Sequence, residues 1–84
     1  MASISSDLKT KLQSNPNAVV NVIARLTDDP SERLTSIQAH GFTVRRTISL
    51  ISAVALQGPG SAALKLAQEP WVLSIEEDKI VHTM

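Results

Sequence analysis

Short alternating apolar segments, separated by turns that contain Pro or Gly, dictate the architecture of this 84-residue chain. Strict alternation of apolar residues is typical of strands, and alternate residues of a strand point to opposite faces. Four segments read as strands, at residues 18–26, 42–49, 53–57 and 71–75. Helical segments at 30–40 and 61–69 separate them. The order β-α-β-β-α-β predicts an α+β, ferredoxin-like fold, in which two helices cover one face of an antiparallel sheet.

Turn residues and side-chain patterns set the expected boundaries. Gly41 should end the first of these helices, and Pro70 should end the second. In the second strand the alternation predicts one shared face for Phe42, Val44, Arg46 and Ile48. The connection at residues 50–52 has neither Gly nor Asn, so its hairpin boundary is poorly defined.

A further short helix is predicted near the N-terminus. Ser5 can serve as its N-cap, Leu8 and Leu12 form one apolar stripe, and Asn15-Pro16-Asn17 ends it. Such a short helix is stable only when it packs against the domain, so docked and frayed states are both open. The chain thus divides into an N-terminal extension at 1–17, the domain at 18–78 and a C-terminal tail at 79–84.

Both faces of the first strand carry aliphatic residues, although two short helices can cover only one. The face expected against the helices has Val20, Val22, Ala24 and Leu26, and the other has Val19, Asn21, Ile23 and Arg25. An apolar sheet face left open often marks an interaction surface. Alternatively, the N-terminal helix lies across it.

Composition excludes several classes of function. Lys plus Arg and Asp plus Glu number eight each and are interspersed, so no basic stripe predicts a nucleic-acid partner. There is no cysteine, and His40 and His82 lack neighbours at the spacing of a catalytic triad or a metal site. We therefore expect no enzyme activity, no catalytic residue, no metal and no cofactor.

Targeting signals are also missing from the sequence. No apolar run reaches the roughly 20 residues that span a bilayer, and the first residues do not resemble a signal peptide. We expect no membrane partner and a cytoplasmic location if the chain is a stand-alone protein. The location is open if the chain is an excised fragment.

Three consecutive acids, Glu76, Glu77 and Asp78 (the acid triplet), follow the last strand. They could form a solvated turn that protects the sheet edge. Alternatively, Glu76 and Asp78 point the same way and accept hydrogen bonds from the N–H groups at helix N-termini of a partner. The tail at 79–84 contains no Gly or Pro and is expected to be extended, like a peptide laid into a groove.

Residues 71–78, Trp-Val-Leu-Ser-Ile-Glu-Glu-Asp, followed by six more residues, resemble the end of subtilisin-type propeptides. They are also similar to the stand-alone fungal inhibitors of subtilisin-like serine proteases that share this fold. The resemblance covers residues 18–84 and implies a monomeric inhibitor. It implies that the open sheet face packs on two parallel helices of the protease, with Glu76 and Asp78 at their N-termini.

The resemblance also implies a role for the tail, which would enter the active-site cleft like a product. Met84 would occupy the S1 pocket and Val81 the S4 pocket, and both side chains suit broad apolar pockets. The protease-binding residues expected in the tail are Ile80, Val81, His82, Thr83 and Met84.

Two other functions remain open at this point. A propeptide cut from its enzyme would share these contacts and act as an intramolecular chaperone, whereas Met1-Ala2 and the extra helix favour a stand-alone inhibitor. A small-molecule regulatory module of the ACT type would dimerise and bind effectors at Gly-rich loops. The loop at residues 27–30 has no Gly, which disfavours that alternative.

Overall fold

A computed structural model describes residues 2–78, and the tail lies outside the described residues. Within that range the chain is a small α+β protein with a five-stranded mixed sheet and three α-helices. In chain order the elements are β1 (Ser3–Ile4), α1 (Ser6–Ser14), β2 (Val19–Leu26), α2 (Leu34–Ala39), β3 (Thr43–Ile48), β4 (Ala53–Pro59), α3 (Gly60–Leu66) and β5 (Val72–Glu77).

The strands lie in the order β1-β5-β2-β4-β3. β2 pairs antiparallel with both β4 and β5, and β3 pairs antiparallel with β4. β1 is the exception, because it runs parallel to β5, with Ser3 opposite Ser74 and Ile4 opposite Ile75. The expectation of a purely antiparallel sheet is therefore wrong, since a two-residue strand is too short to produce an alternating pattern in sequence.

One hydrophobic core lies between the sheet and the helices. Alternate residues of β2 are buried in it as predicted, and each helix adds apolar side chains to the same cluster. The buried members include Val20, Val22, Ala24, Leu26, Ile37, Ala63, Leu66, Ala67 and Ile75. The opposite side of the sheet, called the open face below, carries Val19, Asn21, Ile23 and Arg25 of β2.

Helix α1 is docked rather than frayed. The Ser5 hydroxyl accepts a hydrogen bond from the Leu8 backbone N–H at 3.2 Å, which caps the helix. Leu8 and Leu12 are 4% and 0% exposed and belong to the core. Since α1 packs beside α3 on the core side, it leaves the open face uncovered. The segment expected to be an extension thus supplies one strand of the sheet and one helix of the core.

The region predicted as one helix at 30–40 is divided. A 3₁₀ turn at Pro30–Glu32 precedes α2, and Arg33 between them has a non-helical φ of −111°. The Asp29 carboxylate accepts hydrogen bonds from the Ser31 N–H and hydroxyl, which caps this turn. These bonds lower the pKa of Asp29, the backbone N–H having the larger effect. The Arg33 guanidinium lies 5.0 Å from the centre of the Trp71 ring and so connects α2 to the start of β5.

Strand β3 contains a bulge that the sequence pattern did not predict. Val44 lies opposite Leu56 of β4, but the next paired residue, Arg46, lies opposite Ala55, so Arg45 is the extra residue. Val44 therefore faces the core, whereas Arg46 and Ile48 face the opposite way. The prediction of one shared face for Phe42, Val44, Arg46 and Ile48 is wrong for this reason.

β4 and β5 are longer than predicted, and α3 is shorter. β4 continues to Pro59, and α3 ends at Leu66 instead of near residue 69. β5 extends through Glu77, so the first two acids of the triplet belong to the strand. Ser52, with a φ of 49°, provides the left-handed turn between β3 and β4 that glycine usually supplies.

Candidate functional site

The pairing of β5 with β2 divides the acid triplet between the two faces of the sheet. Glu77 lies opposite Val22, which is fully buried in the core, so Glu77 is on the helix side. There its carboxylate forms an ion pair with the ammonium group of Lys11 on α1. Glu76 lies opposite Ile23 and is therefore on the open face, where it is exposed. The alternation thus leaves the first acid accessible to a partner and ties the second to the domain.

Asp78 continues this alternation just beyond the strand. Its backbone N–H donates a hydrogen bond to the Asn21 carbonyl at 2.9 Å, which holds the chain against β2 for one more residue. The side chain of Asp78 is half-buried, and its position two residues after Glu76 places both acids on the same side. The backbone at this end of β5 is therefore fixed by the sheet up to the last described residue.

The open face has an aliphatic centre between two polar edges. One row across the sheet consists of Glu76, Ile23, Ala55 and Arg46, contributed by β5, β2, β4 and β3 in turn. Ile23 is half-buried, and Ala55 is only 2% exposed although no helix covers it. Val19, at one end of β2, is 64% exposed. Because Ala55 is itself buried, the exposed aliphatic area of this face comes from Val19 and from part of Ile23, and such area is suited to packing against another protein.

The far edge of the open face is basic, a feature that the sequence reading missed. Because of the bulge, Arg45 and Arg46 together face a single residue of β4, and both are exposed. The Arg45 guanidinium donates to the Asn21 side-chain oxygen at 3.3 Å, so it reaches across β4 on this face. The adjacent arginines in an otherwise alternating strand were the one signal in the sequence that could have indicated this edge.

A groove of about 630 Å³ lies beside the end of β5, between this strand and α1. It is bounded by β1, by the first turns of α1 and by Ile75 to Glu77 of β5, and Lys11 and Glu77 both line it. Its wall is half polar because these charged groups meet Ile4 and Leu8 there. The groove thus separates α1 from the strand that leads into the tail, and the ion pair crosses it.

The structure describes only some of the residues predicted for the site. Glu76 lies on the open face and the Asp78 backbone bonds to Asn21, whereas Ile80, Val81, His82, Thr83 and Met84 lie outside the described residues. His40, which had no evident partner in sequence, is half-buried with its Nε2 3.2 Å from Oε1 of Glu69. That contact joins the end of α2 to the turn after α3.

Two other features concern residues 2–78 as a whole. No group of three or more His, Cys, Asp or Glu side chains in this range is arranged to hold a metal ion. In the same range, no helix has both the length and the apolar character that a bilayer crossing requires.

Comparison with known proteins does not assign the chain to a family. No protein-family model matches the sequence, and no curated protein matches it. The geometry at the end of β5 and on the open face is therefore the main support for a functional proposal.

Proposed function

We propose that this protein inhibits subtilisin-like serine proteases by docking its open face on the enzyme and placing its tail in the active-site cleft. The observation that carries the proposal is the division of the acid triplet. Glu76 is on the open face and Asp78 follows it by two residues, while Glu77 pairs with Lys11 on the helix side. The strand thereby holds Glu76 exposed on the open face, where a partner can reach it.

We further propose that the fold is ferredoxin-like with an added N-terminal strand. Without β1 and α1, the remaining elements follow the order β-α-β-β-α-β. Their strands lie in the spatial order β5-β2-β4-β3, which places the first and third strands of that unit at the centre of the sheet. β1 then extends the sheet beyond β5 and covers its backbone edge at Ser74 and Ile75.

Docking would use the two acids at the end of β5 and the aliphatic centre of the open face. The first four N–H groups of a helix have no partner within the helix, so a carboxylate placed there is favoured by hydrogen bonds and by the helix dipole. Glu76 and Asp78 would each meet one such terminus on the protease. Ile23, which lies directly beside Glu76, would then be covered by the side chains of the same helices.

The tail would act as a bound product. Met84 is the sixth residue after Asp78, and in the resembled inhibitors a stretch of this length connects the docking acids to the S1 pocket. Backbone groups of Ile80 to Met84 would add a strand to the substrate-binding edges of the enzyme. Met84 would fill S1 and Val81 would fill S4.

This mode of inhibition requires a domain that is folded before binding. If ordering the domain accompanied binding, its free-energy cost would be subtracted from the affinity. Docked α1, the single core and the ladder that continues to Asp78 all support a pre-ordered platform for the tail.

A truncated chain tests the proposal most directly. Removing residues 82–84 should abolish inhibition of a subtilisin, with the circular dichroism spectrum and melting temperature unchanged. Full inhibition by the folded, truncated chain would overturn the proposed tail mechanism. A solution mass measurement adds a second check, because a regulatory module of the ACT type would be a dimer and the inhibitor is expected to be a monomer.

A further inference from the structure

The open face is polarised by charge from one edge to the other. Glu76 and Asp78 are at the β5 side, whereas Arg45 and Arg46 are on β3. Three strand-to-strand steps separate β5 from β3 in the sheet, a distance of roughly 14 Å at about 4.8 Å for each step. Ile23 and Ala55 lie between the acids and the arginines of β3, and the exposed Arg25 lies on β2 at the other end of the same face.

The bulge in β3 produces the basic edge. In a regular strand, one of two adjacent arginines would point to each face. Here the extra residue turns the strand, so that Arg46 lies opposite Ala55 on the open face while Arg45 reaches Asn21 on the same face. Bulges often re-aim side chains next to functional sites, and this one leaves both arginines on the open face.

Arg46 and Glu76 act separately on a partner. The strands that carry them are roughly 14 Å apart, which exceeds the screening length of about 8 Å at physiological ionic strength, so Glu76 does not neutralise Arg46. The Arg45 guanidinium lies closer to the acids, because it reaches Asn21 beside Asp78. The chain as a whole has no net charge. Long-range attraction to a partner therefore depends on local patches and not on total charge.

Building on the proposed inhibitory function, we propose that the Arg45–Arg46 edge binds an acidic patch on the surface of the target protease. Guanidinium groups form strong, paired hydrogen bonds with carboxylates, and the arginines lie on the same face as Ile23 and the acids. The target is thus a subtilisin-like protease with carboxylates beside the helices that receive Glu76 and Asp78. Complementary charge of this kind mainly raises the association rate and selects among partners.

Stopped-flow association with two subtilisin-like proteases tests the assignment. One protease is chosen for carboxylates beside the docking helices, and the other for lysines at the same place. Arg46→Glu should slow association with the first enzyme about tenfold at low salt, and the difference should shrink in 0.5 M salt as screening increases. The same change should leave association with the second enzyme unchanged or make it faster.

Lys65→Glu is the matched control, since Lys65 is exposed on α3 and the substitution changes the net charge equally. It should alter the association rate with either enzyme by less than about twofold. Arg45→Glu provides a second test variant, and melting temperatures verify folding. If the arginine variants behave like Lys65→Glu while the wild type still inhibits both enzymes, the acidic-patch assignment is overturned and the proposed function stands. If the wild type inhibits neither enzyme, both are overturned.

Discussion

Lys11 on α1 and Glu77 on β5 form an ion pair that joins the first helix to the last strand. Their side chains are 54% and 30% exposed, so the pair contributes no more than about 1 kcal/mol to stability. Its main consequence is geometric. Because Glu77 is on the helix side, strand alternation directs Glu76 and Asp78 toward the open face. Substitutions of the three acids should therefore have different effects.

The first prediction concerns neutral replacements in the acid triplet. Glu76→Gln and Asp78→Asn should each weaken inhibition by roughly 2- to 30-fold, which corresponds to about 0.3–2 kcal/mol for a carboxylate at a helix N-terminus. Glu77→Gln should change the inhibition constant by less than about twofold, because its carboxylate faces α1. Inhibition constants measured at one fixed ionic strength give the comparison.

Lys11→Gln is the control, because it breaks the same ion pair from the helix side. Glu77→Gln and Lys11→Gln should both lower the melting temperature by up to several degrees, as expected for a loss of about 1 kcal/mol in a domain of this size. An effect on inhibition confined to Glu77→Gln would contradict the assignment of the acids to the two faces.

Alternation and turn residues were sufficient to predict most of the described fold. Val22 and Ala24 are buried as their positions in β2 required, and Gly41 ends α2 with a φ of +96°. The β3 bulge could not be predicted, since one inserted residue reverses the faces after it without changing composition. Arg46 was consequently grouped with Phe42 and Val44, and the basic edge was missed.

The N-terminal strand and the length of β5 were also beyond sequence reasoning. Ser3 and Ile4 show no period of their own and become a strand only because β5 offers an unpaired edge. Glu76 and Glu77 have low strand propensity, yet pairing with β2 keeps them in the strand. In both cases a tertiary neighbour decides a local conformation, whereas the alternation of Glu76 and Glu77 between the two faces follows from their spacing alone.

A second prediction concerns the side chain proposed for the S1 pocket. Met84→Phe and Met84→Leu should keep inhibition within about threefold of the wild type, because apolar replacements of similar size are tolerated. Met84→Asp should raise the inhibition constant at least about a hundredfold, since burying an unpaired carboxylate costs several kcal/mol. Gln68→Asp, an equal change in charge at an exposed position after α3, is the control. Equal potency of the Asp and Phe variants at position 84 would exclude a pocket there.

A third prediction tests the close packing of β4 against the start of β3. A Cβ atom at Gly58 would lie 2.6 Å from Cδ1 of Phe42 and 3.2 Å from the Gly41 carbonyl oxygen. Gly58→Ala should therefore destabilise the fold by about 1–3 kcal/mol through overpacking, measured by urea unfolding. In a Phe42→Leu background, where the smaller side chain frees space, Gly58→Ala should lower the free energy of unfolding by clearly less. Equal costs in the two backgrounds would show that the Phe42 ring is not the obstacle.

The last prediction uses Ile23, the aliphatic residue at the centre of the open face. Ile23 is half-buried in the free protein and gains from further burial by a partner, so Ile23→Lys should weaken inhibition at least about tenfold, because it brings a charge into the interface. The melting temperature should fall by only a few degrees, since α1 does not cover this position. Leu50→Lys is the matched control, because Leu50 is 95% exposed between β3 and β4, away from that centre. Normal inhibition by a folded Ile23→Lys variant would refute docking through the open face while leaving the tail mechanism intact.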